Sequence, residues 1–318
     1  MKSPTSQELQ TLAEHQLVLS YNKKPPQPPH NQWSQLDEAK VLLRAEPNLL
    51  FRKTEYTVLH SFLAGKINHQ LSGVFNATGE LGTGKTTTIR RFVEVTGLRL
   101  NDAHNAFSVI WKQLTTQTVS SNKAQTLLNE HFSGAKVREI STILLIDDVD
   151  FLSRSKPEVI SNILNWSNQC RSKVIVITTA NSMDWLERVV TGQEIKTLLF
   201  NSYTSDQLEK IIKDRLIGNF SFDPNAIQLA AKNGDGNAKA ALSLCYLAIK
   251  LVKSNYPGIS QITRLHIAEI THLIQVKQHK DMQKKRELLQ TMPKTVLNNN
   301  NTYIWLEISC MTLFLWFI

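Results

Sequence analysis

Cysteine is scarce in this chain of 318 residues. There are three, Cys170, Cys245 and Cys310. None falls in a C-x-x-C pair, and the odd count argues against both a disulfide framework and a zinc site, fitting a reducing compartment instead. The nine histidines are scattered without ligand spacing, so they read as ordinary surface or core residues. An apolar leader is missing too. The first twenty residues are polar and carry Glu8 and Glu14, which excludes a secretory signal peptide. Acidic residues are few: 27 Asp and Glu against 36 Lys and Arg leave a net charge of +9. That surplus suits a polyanionic partner such as nucleic acid or a membrane surface, and equally a plain basic soluble protein. The one membrane-like stretch, Tyr303 to Ile318, contains Glu307 and is shorter than the roughly 20 apolar residues a spanning helix needs. A tail anchor and a membrane partner are therefore not expected; a packed segment or an atypical gene end is.

What remains is ample for a core. Apolar residues make up 42% of the chain, and its length suits about two domains without internal repeats. Residues 1–35 are polar and include Lys23-Lys24-Pro25-Pro26-Gln27-Pro28-Pro29, whose prolines exclude helix, so this part reads as a flexible linker. Leu36 to Arg44 and Thr54 to Ile67 have apolar residues at helical spacing. Val74 to Thr78, Ile143 to Ile146 and Val174 to Ile177 are short apolar runs of the kind buried on both faces of a parallel sheet. Helical stretches, Ala106 to Leu114 and Pro157 to Trp166 among them, lie between the runs. This alternation predicts a doubly wound α/β domain. After Phe200 the strands stop, and Ser205 to Leu216, Asp223 to Lys232 and Ala238 to Lys253 read as three helices. The expected division is therefore linker 1–35, α/β base 36–199, helical lid 200–276, and a basic helix with an apolar tail over 277–318.

Three strand tips carry the chemistry. Gly79, Glu80, Leu81, Gly82, Thr83, Gly84, Lys85 and Thr86 match the phosphate-binding pattern G-x-x-x-x-G-K-[ST], and Thr87 continues it. Glycines let backbone N–H groups turn toward phosphates, Lys85 reaches the β/γ oxygens, and the Thr86 hydroxyl ligates magnesium. The bland alternative is a chance glycine turn, disfavoured by the strand before it and the helix start after it. Ile143 to Ile146 ends in Asp147-Asp148. Asp147 is the expected magnesium carboxylate and Asp148 the residue that polarises water; alone, the pair would read as an acidic turn. Asn181, after Thr178-Thr179-Ala180, is the candidate sensor holding that water against the γ-phosphate, or else an amide closing a turn.

These motifs together resemble the AAA+ initiator ATPases, in particular the family of the largest subunit of the eukaryotic origin recognition complex. Leu36-Asp37-Glu38-Ala39-Lys40, Leu49-Leu50-Phe51-Arg52 with Glu55, and Leu98-Arg99-Leu100-Asn101 with Trp111-Lys112-Gln113-Leu114-Thr115 are similar to that family's sequence. So are Asp147-Asp148-Val149-Asp150-Phe151-Leu152, Asn162 to Trp166, Thr179 to Asp184, and Ser202-Tyr203-Thr204-Ser205-Asp206-Gln207-Leu208. The resemblance covers about Leu36 to Val252. It implies an AAA+ P-loop ATPase with a parallel-sheet base and a small all-helical lid, ATP and magnesium as cofactors, and Arg52 and Tyr203 beside the nucleotide. It further implies a nuclear protein within a hetero-oligomeric ring that binds double-stranded origin DNA and, with helicase-loading factors, loads the replicative helicase. The paralogous cell-division-cycle licensing ATPase shares most of these motifs, and the stretch Leu98 to Thr115 favours the origin subunit.

Five departures from the family pattern stand out. The chain is short between Thr86 and Gly97. Asp148 stands where Glu is usual. Gly236-Asn237-Ala238-Lys239 stands for G-D-A-R, so Lys239 takes the place of the second-sensor arginine and loses its planar fork. No arginine finger can be assigned near Arg188, and no winged-helix domain is recognisable. These departures predict a weak ATPase that serves mainly as an ATP-dependent assembly switch. A nucleotide-dependent scaffold without catalysis, or an unrelated P-loop ATPase of membrane-bound type, are the other readings. Candidate DNA contacts are Arg99 and the basic run Lys277, Lys280, Lys284, Lys285 and Arg286.

Overall fold

The computed structural model describes residues 34–44, 50–90, 105–133, 141–169, 172–189, 194–219, 221–256 and 258–291. Its centre is a sheet of four parallel strands: β1 (Gly73–Thr78), β2 (Thr142–Ile146), β3 (Val174–Ala180) and β4 (Ile195–Leu199), in the order β2-β3-β1-β4. Alternate side chains of the strands feed two separate cores, as the two-residue period of a strand requires. Val74, Leu144, Ile146, Val174 and Val176 join one cluster with α4 (Ala106–Thr115), α5 (Ser121–Phe132), α6 (Val149–Ser155), α7 (Pro157–Asn168) and α8 (Trp185–Arg188). Phe75, Ala77, Leu145, Ile175 and Ile177 join Leu59, Leu63 and Ile89 of α2 (Lys53–Asn68) and α3 (Lys85–Arg90) on the other face. Helices on both faces explain why the strands read as unbroken apolar runs.

A third core lies after the sheet. It is built by α9 (Ser205–Arg215), α10 (Pro224–Asn233), α11 (Ala238–Asn255) and the first part of α12 (Arg264–Thr291). Thr204 caps α9 in a reciprocal box with Gln207, and Asp223 caps α10 with Pro224 in its first turn. Parallel-sheet base and helical lid are thus both present, but two expected boundaries shift. The helix at the start of the described chain, α1 (Gln35–Leu42), buries Leu36 and Ala39, with Leu43 just beyond, in the lid cluster and not in the base. Its periodicity marked it as amphipathic, and periodicity cannot say which core receives the apolar face. The boundary expected at 276/277 falls inside α12, a continuous helix whose residues 275–284 are all exposed.

Strand β4 was not anticipated. It is a half-buried edge strand containing Lys196 and Thr197, so it lacks the apolar run of its neighbours. β3 runs three residues further than its apolar stretch, through Thr178 and Thr179 to Ala180, because those buried threonines keep the ladder with β1. No helix among the described residues is long and apolar enough to cross a membrane. The linker 1–33, Arg99 with the expected strand around it, and the apolar tail lie outside the described residues.

Candidate functional site

Strand register brings the three motifs to one edge of the sheet. Thr78 at the tip of β1 pairs with Ala180 of β3 and Leu199 of β4, and Ile146 of β2 pairs with Thr178. The loop Gly79–Gly84, the pair Asp147-Asp148, and Asn181 therefore leave the sheet side by side. Gly79, Gly82 and Gly84 have φ of +147°, +71° and +86°, values that disfavour any side chain. A Cβ on Gly82 would lie 1.7 Å from Asn237 Oδ1, and one on Gly84 would lie 2.6 Å from the Tyr203 hydroxyl. The glycines thus permit both the loop's turn and the close approach of the lid.

Lys85 is buried at the start of α3. Its Nζ donates to the carbonyls of Gly79 at 2.6 Å and Glu80 at 2.8 Å, and to Asn181 Oδ1 at 3.4 Å. Burial pushes its pKa below the usual lysine value, opposed by Asp148, Asp150 and Asp147, which favour the charged form. The Thr86 hydroxyl donates to Asp147 Oδ1 at 2.8 Å, and the Arg90 guanidinium stands 3.8 Å from Asp147 Oδ2. Thr87 is half-buried, and Leu81 is exposed on the loop. The Thr83 hydroxyl closes the loop on the Glu80 carbonyl, and the Glu80 carboxylate accepts from Ser202. Asp148 is exposed and sits in the left-handed region, φ 54° and ψ 51°, at the start of α6. A non-glycine residue held there stores strain of about 1 kcal/mol.

Two residues that sequence reasoning did not single out hold this edge together. Thr179 Oγ1 donates to Asp147 Oδ1 at 2.6 Å and accepts from the Asp148 N–H at 2.9 Å. The Asp150 carboxylate accepts from the Asn181 N–H at 2.5 Å and from Ser182 N–H and hydroxyl at 3.4 Å, which fixes the loop that carries Asn181. The signal for both was their place beside the motif residues, but their partners could be read only from the cross-strand register.

The lid meets the loop through a residue other than the expected one. Lys239 is exposed on the first turn of α11 and makes no hydrogen bond to the loop among the described residues. Asn237, two positions earlier, caps α11 by accepting from the Ala240 N–H at 2.9 Å, and the Ala238 N–H donates to the Gly82 carbonyl at 3.1 Å. Arg52, just before α2 of the base, and Tyr203 of the lid core come together in a buried contact. Arg52 donates to the Tyr203 hydroxyl at 3.1 Å, to Glu55 at 2.6 Å and to the Asn201 carbonyl at 2.5 Å, and stacks 4.1 Å from the Tyr203 ring centre. These groups stand at the loop's edge with their polar atoms engaged by protein. Among the described residues no three His, Cys, Asp or Glu side chains gather to hold a metal.

Residues 77–198 match the family model described as "AAA: ATPase family associated with various cellular activities". Origin recognition complex subunit 1 of Drosophila melanogaster is 32% identical over 244 residues, covering 69% of this chain and 26% of that protein. Origin of replication complex subunit 1A of Arabidopsis thaliana is 33% identical over 276 residues, covering 74% and 34% respectively. The chain thus spans about a quarter to a third of the length of these relatives. Among solved structures, one of Drosophila ORC bound to DNA contains a chain that superposes with a TM-score of 0.64 at 29% identity, over 83% of this chain and 72% of that one. The Aeropyrum pernix ORC1 protein, solved in complex with DNA, shares the fold at a TM-score of 0.59 and 18% identity, over 80% and 72%.

Proposed function

Because this chain belongs to the AAA+ ATPases of the origin recognition complex subunit 1 type, we propose that it binds ATP with magnesium at the Gly79–Thr86 loop and acts as an initiator subunit in DNA replication. In this reading it is nuclear, assembles with other origin recognition complex subunits, binds double-stranded DNA and helps load the replicative helicase with helicase-loading factors. The observation that carries the ATP site is the convergence of Lys85 Nζ, the Thr86–Asp147 pair and Asn181 at one edge of a parallel sheet. The names of its relatives support the assembly and the DNA.

The donors present fit a magnesium nucleotide. Thr86 Oγ1 and the Asp147 carboxylate are hard oxygen ligands already 2.8 Å apart, and magnesium is usually held by one or two such groups plus phosphate oxygens and water. Bound there, the ion neutralises phosphate charge. Lys85 supplies the fixed cation for the phosphates, Asn181 positions water, and Asp148 polarises it. Arg52, Tyr203 and Lys239 take the nucleotide's flank and the lid side. Hydrolysis is slow in this account. The Asp148 carboxylate is one methylene short of Glu, and Lys239 has no planar fork with which to clamp phosphate. A scaffold that binds ATP without turnover is the second reading, favoured by the exposure of Lys239.

Calorimetric titration of ATP with magnesium tests the site. A hydrogen bond to a charged group contributes about 1.5–3 kcal/mol, so Lys85→Ala should weaken binding roughly 10- to 100-fold. Unchanged affinity would overturn the assignment.

A further inference from the structure

Three cations converge on one aromatic ring far along the chain from the phosphate loop. The Arg44 guanidinium lies 4.4 Å from the centre of the Tyr246 ring, Lys250 Nζ lies 4.9 Å away, and Lys40 Nζ lies 5.7 Å away. Lys40 lies in the last turn of α1 and Arg44 two residues past its end, while Tyr246 and Lys250 lie one turn apart on α11, so the packing of α1 and its C-terminal turn on α11 builds the cluster. The ring itself is nearly buried at 9% exposure, while Arg44 and Lys250 are exposed and Lys40 is half-buried.

This cluster has no carboxylate among the described residues. Both acidic residues of α1 are engaged elsewhere: Asp37 with Lys253 and Ser34, and Glu38 with the Asn219 amide. α11 has no acidic residue at all. A cation over an aromatic face gains about 0.5–1 kcal/mol at an exposed site. One cation is enough for that. The second and third add like charge within a Debye length of about 8–10 Å, where repulsion is poorly screened. An anion from outside the chain removes that repulsion.

We propose that Lys40, Arg44 and Lys250 form a docking site for the phosphate backbone of duplex DNA. This rests on the DNA-binding reading above and adds the surface that does it. Among the described residues the site is made by two packed helices and their exposed cations, with no loop of N–H groups around it that would select a small phosphate. A linear polyanion that crosses the ridge can engage all three cations at once. Phosphate contacts of this kind position a protein on DNA and do not read its sequence. The site lies outside the basic run of α12, and it joins the helix that opens the described chain to the lid.

The test uses the full chain and a labelled duplex, with affinity measured by fluorescence anisotropy between about 50 and about 200 mM salt. Each phosphate neutralised adds about 0.9 to the slope of log affinity against log salt. The triple variant Lys40→Gln, Arg44→Gln, Lys250→Gln should flatten that slope by about 2 to 3, equally on unrelated sequences. The charge-retaining triple Lys40→Arg, Arg44→Lys, Lys250→Arg should keep it. If the neutral triple does not fold, Lys250→Gln alone should flatten the slope by about 1. A neutral variant with the wild-type slope overturns the site while leaving the DNA reading intact. A wild-type chain that ignores duplex at the lowest salt overturns both. Preference of the wild type for phosphatidylserine vesicles over duplex, lost in the neutral triple, assigns the ridge to lipid and also overturns the proposal.

Discussion

Thr179 joins the two acidic residues at the strand tip through a single hydroxyl, donating to Asp147 and accepting from the backbone of Asp148. Removing it takes one hydrogen bond from the Asp148 N–H and one from the Asp147 carboxylate, which is then held less firmly, by Thr86 and Arg90. The loss of such a hydrogen bond costs about 1–3 kcal/mol. Groups that orient a metal ligand commonly change metal affinity about tenfold or more. Thr179→Val should therefore raise the magnesium concentration needed for tight ATP binding by roughly an order of magnitude, and Thr179→Ser should restore it. The measurement is a magnesium titration at fixed ATP beside thermal unfolding. A lower melting temperature with an unmoved magnesium midpoint would reduce Thr179 to a packing residue.

Between base and lid, the N-terminus of α11 rests on the phosphate loop through Gly82. Asn237 performs two tasks there: it caps the helix and lies against the Gly82 backbone. The two tasks separate by mutation. Asn237→Ala removes the cap and should cost about 1 kcal/mol, a fall of roughly 2–4 °C in melting temperature. Asn237→Asp keeps a capping acceptor and should melt near the wild type, yet it sets a carboxylate beside the phosphate cradle and should weaken ATP binding. Scanning calorimetry and ATP titration on the same samples check both halves. Equal ATP affinity in Asn237→Asp and wild type would show that the lid contact lies away from the nucleotide.

At the scale of the whole molecule, the proposed function implies a chain better equipped to hold a nucleotide than to cleave it. Positive charge aimed at the transition state is thin: Arg52 is buried and fully engaged by Tyr203, Glu55 and Asn201, and Lys239 is exposed. One missing electrostatic or positioning group commonly costs on the order of 10²-fold in rate. Single-turnover hydrolysis by the purified chain should therefore barely exceed background. Asp148→Glu should raise it, and partner subunits that donate an arginine should raise it further. Rapid turnover by the chain alone, or no gain from Asp148→Glu even with partners present, would refute this account of the site.

The position of the Gly79–Thr86 loop, of Asp147 and of Asn181 at strand tips was legible in the sequence because each follows a short apolar run at fixed local spacing. The same holds for α7, α10 and α11, whose ends carry Pro157, the Asp223-Pro224 pair and an apolar period. Tertiary structure decided the rest. That α1 packs into the lid core, that β4 pairs at the sheet edge, and that Thr179 and Asp150 hold the motif residues all depend on contacts between segments far apart in the chain. The Asn237 contact with Gly82 and the three cations over Tyr246 depend on them too. Local pattern sets which face of an element is apolar and which loop can cradle an anion. Which distant surface covers that face, and which side chains meet at its rim, is fixed only when the segments pack against one another.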